Sequence, residues 1–121
     1  MKNKDVVVLE KIMDYCNQID EACDMFGNDY DKFTKVSVFT NACCMCMLQI
    51  GELCKVVSPE LKKVEKEIPW RSWCGIRDIF AHQYSNLDYQ SAWDTVKEDL
   101  PALKLNVNRI LEKNRTDTSE Y

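Results

Sequence analysis

Hydrophobic positions in the first part of the chain recur every three or four residues. Between about Asp5 and Phe26 the stripe consists of Leu9, Ile12, Cys16, Ile19, Cys23 and Phe26. This spacing predicts an amphipathic helix with a narrow apolar face. Gly27-Asn28 follows, and because both residues tolerate a positive φ the helix is predicted to end there.

The second predicted helix begins near Asp29–Asp31, runs to about Val57, and is apolar on nearly every side in its middle. The apolar residues there are Val36, Val38, Phe39, Ala42, Cys43, Cys44, Met45, Cys46, Met47, Leu48 and Ile50. A helix that is apolar all round must be covered all round. In a chain of 121 residues its own neighbours do not suffice, so we expect a homodimer that packs through the long helices.

Two further helices are predicted in the middle of the chain. Ser58-Pro59 combines an N-cap with proline at the first helical position, and so opens a short basic helix from Pro59 to about Glu67. Ile68-Pro69-Trp70 starts a third long helix that ends near Tyr84. Its apolar residues are Trp73, Ile76, Ile79 and Phe80.

The C-terminal third is predicted to hold two helices and a tail. Asp88 is the N-cap of a helix that breaks at Leu100-Pro101, and a last helix follows. The apolar positions of these two helices are Tyr89, Ala92, Trp93, Val96, Leu103, Val107, Ile110 and Leu111. From Asn114 onward the chain is polar and is expected to be frayed. We therefore predict an all-α fold, an antiparallel helical bundle with a short extra helix over residues 1–113, followed by a polar tail over residues 114–121.

Composition narrows the class of protein. Only 3 Gly and 3 Pro occur, too few for the turns of an all-β fold. Seven cysteines would indicate disulfides in a secreted chain, but the charged start Met1–Asp5 leads into no recognisable secretion signal. The nearest approach to a membrane span, Val36–Ile50, is shorter than the roughly 18 residues required. We therefore expect a cytoplasmic protein with reduced thiols and no membrane partner.

His82 is the only histidine, with Arg77 five residues before it and Tyr84 two residues after it. Histidine exchanges protons near neutral pH, and arginine is well shaped to bind phosphate, so the pair suits metal-free phosphodiester chemistry. On an ideal helix, however, Arg77 and His82 lie roughly 140° apart. They converge only if the helix unwinds near His82 or if a dimer brings two copies to one cleft. By spacing alone, a structural role for a histidine at a helix end stays open.

The flanking residues indicate a family. The relevant positions are Ile50-Gly51-Glu52, Ser58-Pro59-Glu60-Leu61, Ile68-Pro69-Trp70-Arg71, Gly75-Ile76-Arg77, His82, Tyr84, Asp88, Trp93 and Asp99-Leu100-Pro101. This pattern, which extends from about Asp5 to Leu111, resembles the HepT-like branch of the HEPN superfamily.

The resemblance implies a helical bundle that dimerises, with an Arg-x4-His-x-Tyr motif at the dimer cleft. It implies that Arg77 and His82 are the catalytic pair of a metal-independent endoribonuclease that needs no cofactor and cleaves RNA. Many members of this family are toxins neutralised by an MNT-type nucleotidyltransferase antitoxin, which in some pairs adds AMP to the motif tyrosine. That residue here is Tyr84. The alternatives are a non-catalytic HEPN module that binds nucleotide or RNA or serves in assembly, and a purely structural helical dimer.

Two positions depart from the family's common pattern. Asp78 stands where asparagine usually follows the motif arginine, and Gln83 stands where glycine is common. Asp78 lies four residues before His82, so on a helix its carboxylate can orient the imidazole and raise its pKa. The other interpretations of Asp78 are an ordinary exposed pair and a member that has lost activity.

Three other groups of residues have a functional and a structural interpretation. Lys62, Lys63, Lys66 and Arg71 either guide RNA to the cleft or solvate a short helix. Cys43-Cys44-x-Cys46 points to different sides of a helix with no histidine nearby, so we expect buried small hydrophobes and no metal site. Trp70, Trp73 and Trp93 are expected to pack in the core rather than stack on bases.

Overall fold

The computed structural model describes residues 1–80 and 87–119, and every regular element in these ranges is helical. The α-helices are α1 (Asn3–Phe26), α2 (Tyr30–Lys35), α3 (Ser37–Val56), α4 (Pro59–Val64), α5 (Trp70–Cys74), α6 (Arg77–Phe80), α7 (Tyr89–Asp94) and α8 (Leu100–Ser119). A π-helical segment, Thr95–Asp99, joins α7 to α8. The prediction of an all-α fold is confirmed.

Helix ends that carry a local signal lie where the sequence predicts them. α1 ends at Gly27 and Asn28, with φ of 81° and 55°, and the Asn28 N–H donates to the Cys23 carbonyl at 2.9 Å. The Ser58 hydroxyl accepts from the Leu61 N–H at 3.2 Å and so caps α4, although α4 ends at Val64 rather than near Glu67. Asp88 caps α7 in the same way, as a carboxylate that accepts from a backbone N–H. These are interactions within one turn, which residue type alone determines.

Helices α1 and α3 form the centre of the core and run antiparallel. Near the end of α1, Cys23 lies beside Cys43 in the first half of α3. At the start of α1, the buried Asp5 carboxylate accepts from the Ser58 N–H just beyond α3, at 2.9 Å. Contacts between the start of one helix and the end of the other confirm the antiparallel arrangement.

Helix α8 and the π-helical segment also run antiparallel to α1. Lys104 of α8 pairs with Asp20, and Lys97 of the π-helical segment hydrogen-bonds to Asn28 after the end of α1. The apolar stripe predicted for the last helix is buried in this interface, and its residues are Leu103, Val107, Ile110 and Leu111. α1 is therefore covered on two sides.

The single helix predicted from about Asp29 to Val57 is wrong, because Val36 interrupts it. Val36 has extended dihedrals (φ −95°, ψ 101°) and separates α2 from α3. On one continuous helix Phe33 and Phe39 would point about 120° apart. The break instead brings their rings to 5.5 Å in an edge-on contact and places Phe33 5.0 Å from Trp93. Burial of these aromatic rings stabilises the break, which no proline or glycine marks.

The third long helix is also divided. α5 ends at Cys74 and α6 begins at Arg77, with a turn at Gly75-Ile76 in which the Ile76 N–H donates to the Trp73 carbonyl at 3.2 Å. Its predicted end near Tyr84 lies outside the described residues.

The predicted break at Leu100-Pro101 is wrong, since the chain stays helical there. Leu100 has helical dihedrals (φ −64°, ψ −47°), and its N–H donates to the carbonyl of Thr95, five residues earlier. Proline cannot donate to the residue four positions before it and clashes with that carbonyl in a regular helix. The wider π-helical turn just before Pro101 accommodates both features. α8 then continues to Ser119, past Asn114, where a frayed tail was expected.

Helix α3 is long and apolar enough to cross a membrane by length and composition alone. An 18-residue window in it has a mean hydropathy of 1.2, and half of that window is buried inside the structure. A core helix passes the same test, so this property does not separate a membrane span from the packing seen here.

Candidate functional site

Arg77 is the first residue of α6 and has an exposed side chain. The residues on either side of it in the fold, Ile76 and Phe80, are buried, with 4% and 2% of their surface exposed. Two apolar anchors therefore hold this short helix against the core while the guanidinium faces solvent. Among the side chains that the structure describes, none forms an ion pair with Arg77.

Gly51 of α3 determines how closely the turn before Arg77 approaches the core. A Cβ at Gly51 would lie 2.7 Å from the Trp73 carbonyl oxygen and 2.8 Å from the Cγ2 of Ile76. Both distances are well inside van der Waals contact, so only glycine permits this packing. The glycine that the family pattern includes is thus the contact between α3 and the turn that leads into α6.

The other motif residues predicted from sequence are not all described. His82 and Tyr84 lie outside the described residues, and so does Gln83. Asp78 belongs to α6 by its backbone, but its side chain is not described either. The convergence of Arg77, His82 and Tyr84, and the contact between Asp78 and His82, therefore stay predictions.

The predicted RNA-guiding cations lie on α4, on the turn after it and on α5. Lys62 is half-buried, whereas Lys63, Lys66 and Arg71 are exposed. The three acidic residues of this stretch are all paired with cations from outside it: Arg109 of α8 contacts Glu65 at 2.7 Å and Glu67 at 3.8 Å, and Lys2 contacts Glu60 at 3.4 Å. The contacts with Glu65 and Glu67 raise the pKa of Arg109. The surface of this stretch is consequently more basic than its composition suggests.

The cysteines are buried thiols. Cys43, Cys44 and Cys46 are all buried and free, as the prediction of small hydrophobic packing requires. Burial raises the pKa of Cys44 to about 12, and it does the same for Cys16 and Cys54. Over residues 1–80 and 87–119, no group of three or more His, Cys, Asp or Glu side chains is arranged to hold a metal ion.

The prediction that the three tryptophans pack in the core is confirmed. Trp70 is buried and donates from its indole Nε1 to the Glu65 carbonyl at 2.9 Å, and Trp73 is buried beside it. Trp93 is buried among the aromatic rings that join α2, α3 and α7.

A small cavity of about 130 Å³, not anticipated from the sequence, lies where α2, α3, α6 and α7 meet. Its lining includes Ser37, Asn41 and Leu48 of α3, Phe80 at the end of α6, Leu87 just before α7, and Tyr89 at the start of α7. We call it the α3–α7 cavity. Because it forms beside the unmarked break at Val36, no local signal in the sequence could have indicated it.

Comparison with known proteins decides the family. The family model described as ribonuclease HepT-like matches residues 12–110. This chain belongs to the HepT-like family. The resemblance found in the sequence is therefore confirmed, and the matched span includes Arg77, both described sides of the motif segment and the α3–α7 cavity.

Relatives of this HepT-like protein have names that refer to ribonucleases. A candidate RNase of Caldanaerobacter subterraneus subsp. tengcongensis is 30% identical over 107 residues, which are 88% of this chain and 94% of that protein. A protein of Thermococcus cleftensis described as a probable ribonuclease HepT is 34% identical over 100 residues, with 75% of this chain and 87% of that protein covered. No solved structure matches the chain significantly. Together the family and the relatives support a function of the ribonuclease class.

Proposed function

We propose that this HepT-like protein is a metal-independent endoribonuclease that acts as a homodimer. The observation that carries the proposal is the family match over residues 12–110, within which Arg77 stands exposed on a helix anchored at both ends. In this account Arg77 and His82 are the catalytic residues, and Tyr84 hydrogen-bonds to the phosphate.

The proposed reaction is an internal transesterification of RNA. The ribose 2′-oxygen attacks the adjacent phosphorus, and the bond from phosphorus to the 5′-oxygen of the next nucleotide breaks. One His82 takes the proton of the 2′-hydroxyl, and a protonated His82 gives a proton to the leaving 5′-oxygen; two subunits can divide these roles. Arg77 neutralises the charge that develops on the phosphoryl oxygens. The products are a 2′,3′-cyclic phosphate and a 5′-hydroxyl.

An uncovered apolar stripe on α3 supports the homodimer. Val38, Met45 and Val56 are 68%, 51% and 46% exposed, and at 100° per residue they lie within about 20° of one line along the helix. The side of α3 that faces α1, where Cys43 meets Cys23, lies about 140° round from Val38. We propose that a second copy of the chain packs on this stripe and brings the two motif segments to one cleft.

The toxin role and the antitoxin partner extend the proposal. An MNT-type nucleotidyltransferase would neutralise the enzyme by moving AMP from ATP to the Tyr84 hydroxyl, with release of pyrophosphate. The phenol oxygen then no longer carries a proton to donate, and the added nucleotide fills the place of the RNA.

Growth of cells that express the protein tests the toxin role. Wild-type protein should inhibit growth, whereas Arg77→Ala and His82→Ala at equal expression should not. Co-expression of an MNT-type nucleotidyltransferase should restore growth and add AMP to wild-type protein but not to Tyr84→Phe. Normal growth with wild-type protein at that level would contradict the toxin role.

The strongest alternative is a non-catalytic HEPN module that binds RNA or nucleotide. It is favoured by Asp78, which adds a negative charge beside the motif arginine where asparagine is usual. On this alternative, wild-type protein binds RNA and leaves it intact.

A further inference from the structure

Two residues that flank the motif segment in the sequence line the α3–α7 cavity. Phe80 is the last described residue before that segment and Leu87 the first after it, and both line the cavity. α6 rises about 1.5 Å per residue, so the backbone of Arg77 lies only about 5 Å along the helix from that of Phe80. An RNA phosphate bound to Arg77 would therefore have the base of an adjoining nucleotide within reach of the cavity.

The size of the cavity limits its occupant. Pockets for drug-sized ligands measure about 300–1,000 Å³, whereas this one measures about 130 Å³. It suits one planar ring system and excludes a larger folded ligand.

The lining offers the two kinds of contact that a single-stranded base uses, an aromatic ring and a polar edge. The Tyr89 ring is 37% exposed and stands edge-on to Phe33, with their centroids 6.2 Å apart, so that its position is fixed. Asn41 is exposed at the rim, and its amide presents a donor and an acceptor in one plane, as the edge of a base does. In the part of the chain that the structure describes, neither Asn41 nor the nearby Ser37 hydroxyl has a hydrogen-bond partner.

The position of the cavity on α3 agrees with a place in the proposed cleft. Asn41 and Leu48 lie about 60–80° round the helix from Val38, so the cavity is beside the stripe assigned to the second subunit rather than under it. Lys35 at the same rim is held by an exposed pair with Asp31 at 3.0 Å. Such pairs contribute little free energy, so Lys35 can exchange Asp31 for a phosphate.

We propose that the α3–α7 cavity binds one base of the RNA next to the phosphate held by Arg77, with Tyr89 stacking on the base and Asn41 hydrogen-bonding to its edge. This inference rests on the proposed ribonuclease function. It makes Asn41 and Tyr89 determinants of base preference rather than catalytic residues.

The test measures binding of short 2′-O-methyl RNA, which lacks the attacking hydroxyl and stays uncleaved. Full-length wild-type protein, Asn41→Ala, Tyr89→Leu and the matched surface variant Asn17→Ala are titrated with an oligonucleotide and with versions that have one abasic position. Wild type and Asn17→Ala should lose roughly fivefold or more in affinity at one abasic position, the magnitude of one stacked base. Asn41→Ala and Tyr89→Leu should bind the intact oligonucleotide more weakly than wild type does. They should lose little further affinity when that one position is abasic.

Several outcomes would overturn the inference. The first is an equal loss of affinity at the abasic position in wild type and variants, and the second is no RNA binding by wild type. The third is a change of oligomeric state in Asn41→Ala without a change in RNA affinity, which would assign the cavity to a second subunit. Cleavage of ordinary RNA is assayed in parallel. If the variants cleave RNA with the base preference of wild type, the subsite alone is rejected. If the predicted difference in abasic losses is found but no RNA is cleaved, the subsite is supported and the ribonuclease function is rejected. Asn41 is exposed, so this variant stays informative if Tyr89→Leu fails to fold.

Discussion

At the scale of single residues, the proposed catalytic arginine is exposed and most thiols are buried. Arg77 is the first residue of the four-residue helix α6 and lies between the buried residues Ile76 and Phe80. Its side chain is exposed and forms no ion pair with any side chain that the structure describes. Six of the seven cysteines are buried. An exposed guanidinium, whose planar fork matches a phosphate, suits a reaction at an RNA phosphate.

The Asp78 hypothesis predicts a shift in the pH dependence of cleavage. A carboxylate beside an imidazolium raises the pKa of the imidazole, so Asp78→Asn should lower the pKa of His82. The limb of the pH–rate profile that requires protonated His82 should move to lower pH, and the maximal rate should fall. Steady-state cleavage measured from pH 5 to about 9 checks this. An unchanged profile and rate would show that Asp78 does not orient His82.

The buried thiols predict a loss of stability in alkaline solution. Burial raises the folded-state pKa of Cys16, Cys44 and Cys54 to about 12, whereas the unfolded chain releases these protons near pH 8.5. Above that pH the unfolded state binds fewer protons, so the free energy of unfolding falls with rising pH. Each thiol contributes roughly 1.4 kcal/mol per pH unit until the pH reaches its folded pKa.

Urea unfolding at pH 7, 9 and 10.5 measures this dependence. Cys44→Ala should show a shallower decline than wild type between pH 9 and 10.5, because it has one thiol fewer. Asn17→Ala, on the exposed side of α1, is the control and should keep the slope of wild type. Parallel declines for Cys44→Ala and wild type would refute the assignment of the slope to this thiol.

At the scale of helices, two close approaches shape the surroundings of Arg77. The first is the break at Val36, which folds Phe33 back onto Phe39 and Trp93. The second is Gly51, over which the Trp73 carbonyl and Ile76 pass without room for a Cβ. The site is therefore positioned by α3, although none of its proposed catalytic residues belongs to α3.

Gly51→Ala should separate α3 from the turn before Arg77. The added Cβ meets a backbone oxygen at 2.7 Å, which cannot be relieved by rotation of a side chain. We expect a loss of roughly 1–3 kcal/mol in the free energy of unfolding and a fall in activity larger than the loss of folded protein explains. Chemical denaturation and cleavage measured on the same preparation check this.

Gly75→Ala is the matched control. Its Cβ would lie 3.4 Å from the nearest atom, the Arg71 carbonyl oxygen, and Gly75 has an ordinary φ of −88°. It should fold and cleave nearly as wild type does. If Gly51→Ala behaves like Gly75→Ala, the position of Arg77 does not depend on this approach.

At the scale of the whole molecule, the proposed active form is a dimer of the chain. The stripe of Val38, Met45 and Val56 is the exposed apolar face of the helix at the centre of the core. Arg77 and His82 lie on different sides of an ideal helix, so a second copy is the simplest way to bring both groups to one phosphate.

Met45→Glu tests the dimer interface. A charge at this half-exposed position costs little in the monomer but would be buried without a partner in the dimer. Light scattering coupled to size exclusion should find a dimer for wild type and a monomer for Met45→Glu, with loss of cleavage. Glu21→Lys, an exposed change of charge on α1, should leave the dimer intact. A monomeric wild type, or a dimeric Met45→Glu, would contradict the proposed interface.

The sequence predicts helix ends that depend on neighbouring residues and misses helix breaks that depend on packing against residues distant in the chain. Gly27, Ser58 and Asp88 end or begin helices through contacts within one turn, and all three positions are predicted correctly. The breaks at Val36 and at Gly75-Ile76 depend on packing against Trp93 and Gly51, far away in the chain. The motif around Arg77 is indicated by the family resemblance of its flanking residues, but the α3–α7 cavity, which residues distant in the chain line together, exists only in the folded protein.

The central claim, metal-independent cleavage by Arg77 and His82, is tested most directly by the ends of the RNA products formed in the presence of a chelator. Wild type should release 2′,3′-cyclic phosphate and 5′-hydroxyl ends. Arg77→Ala and His82→Ala should each slow cleavage by about 100-fold or more, and the surface variant Lys11→Ala should match wild type. Products with 5′-phosphate ends, loss of activity with the chelator, or cleavage by His82→Ala at the rate of wild type would contradict the account.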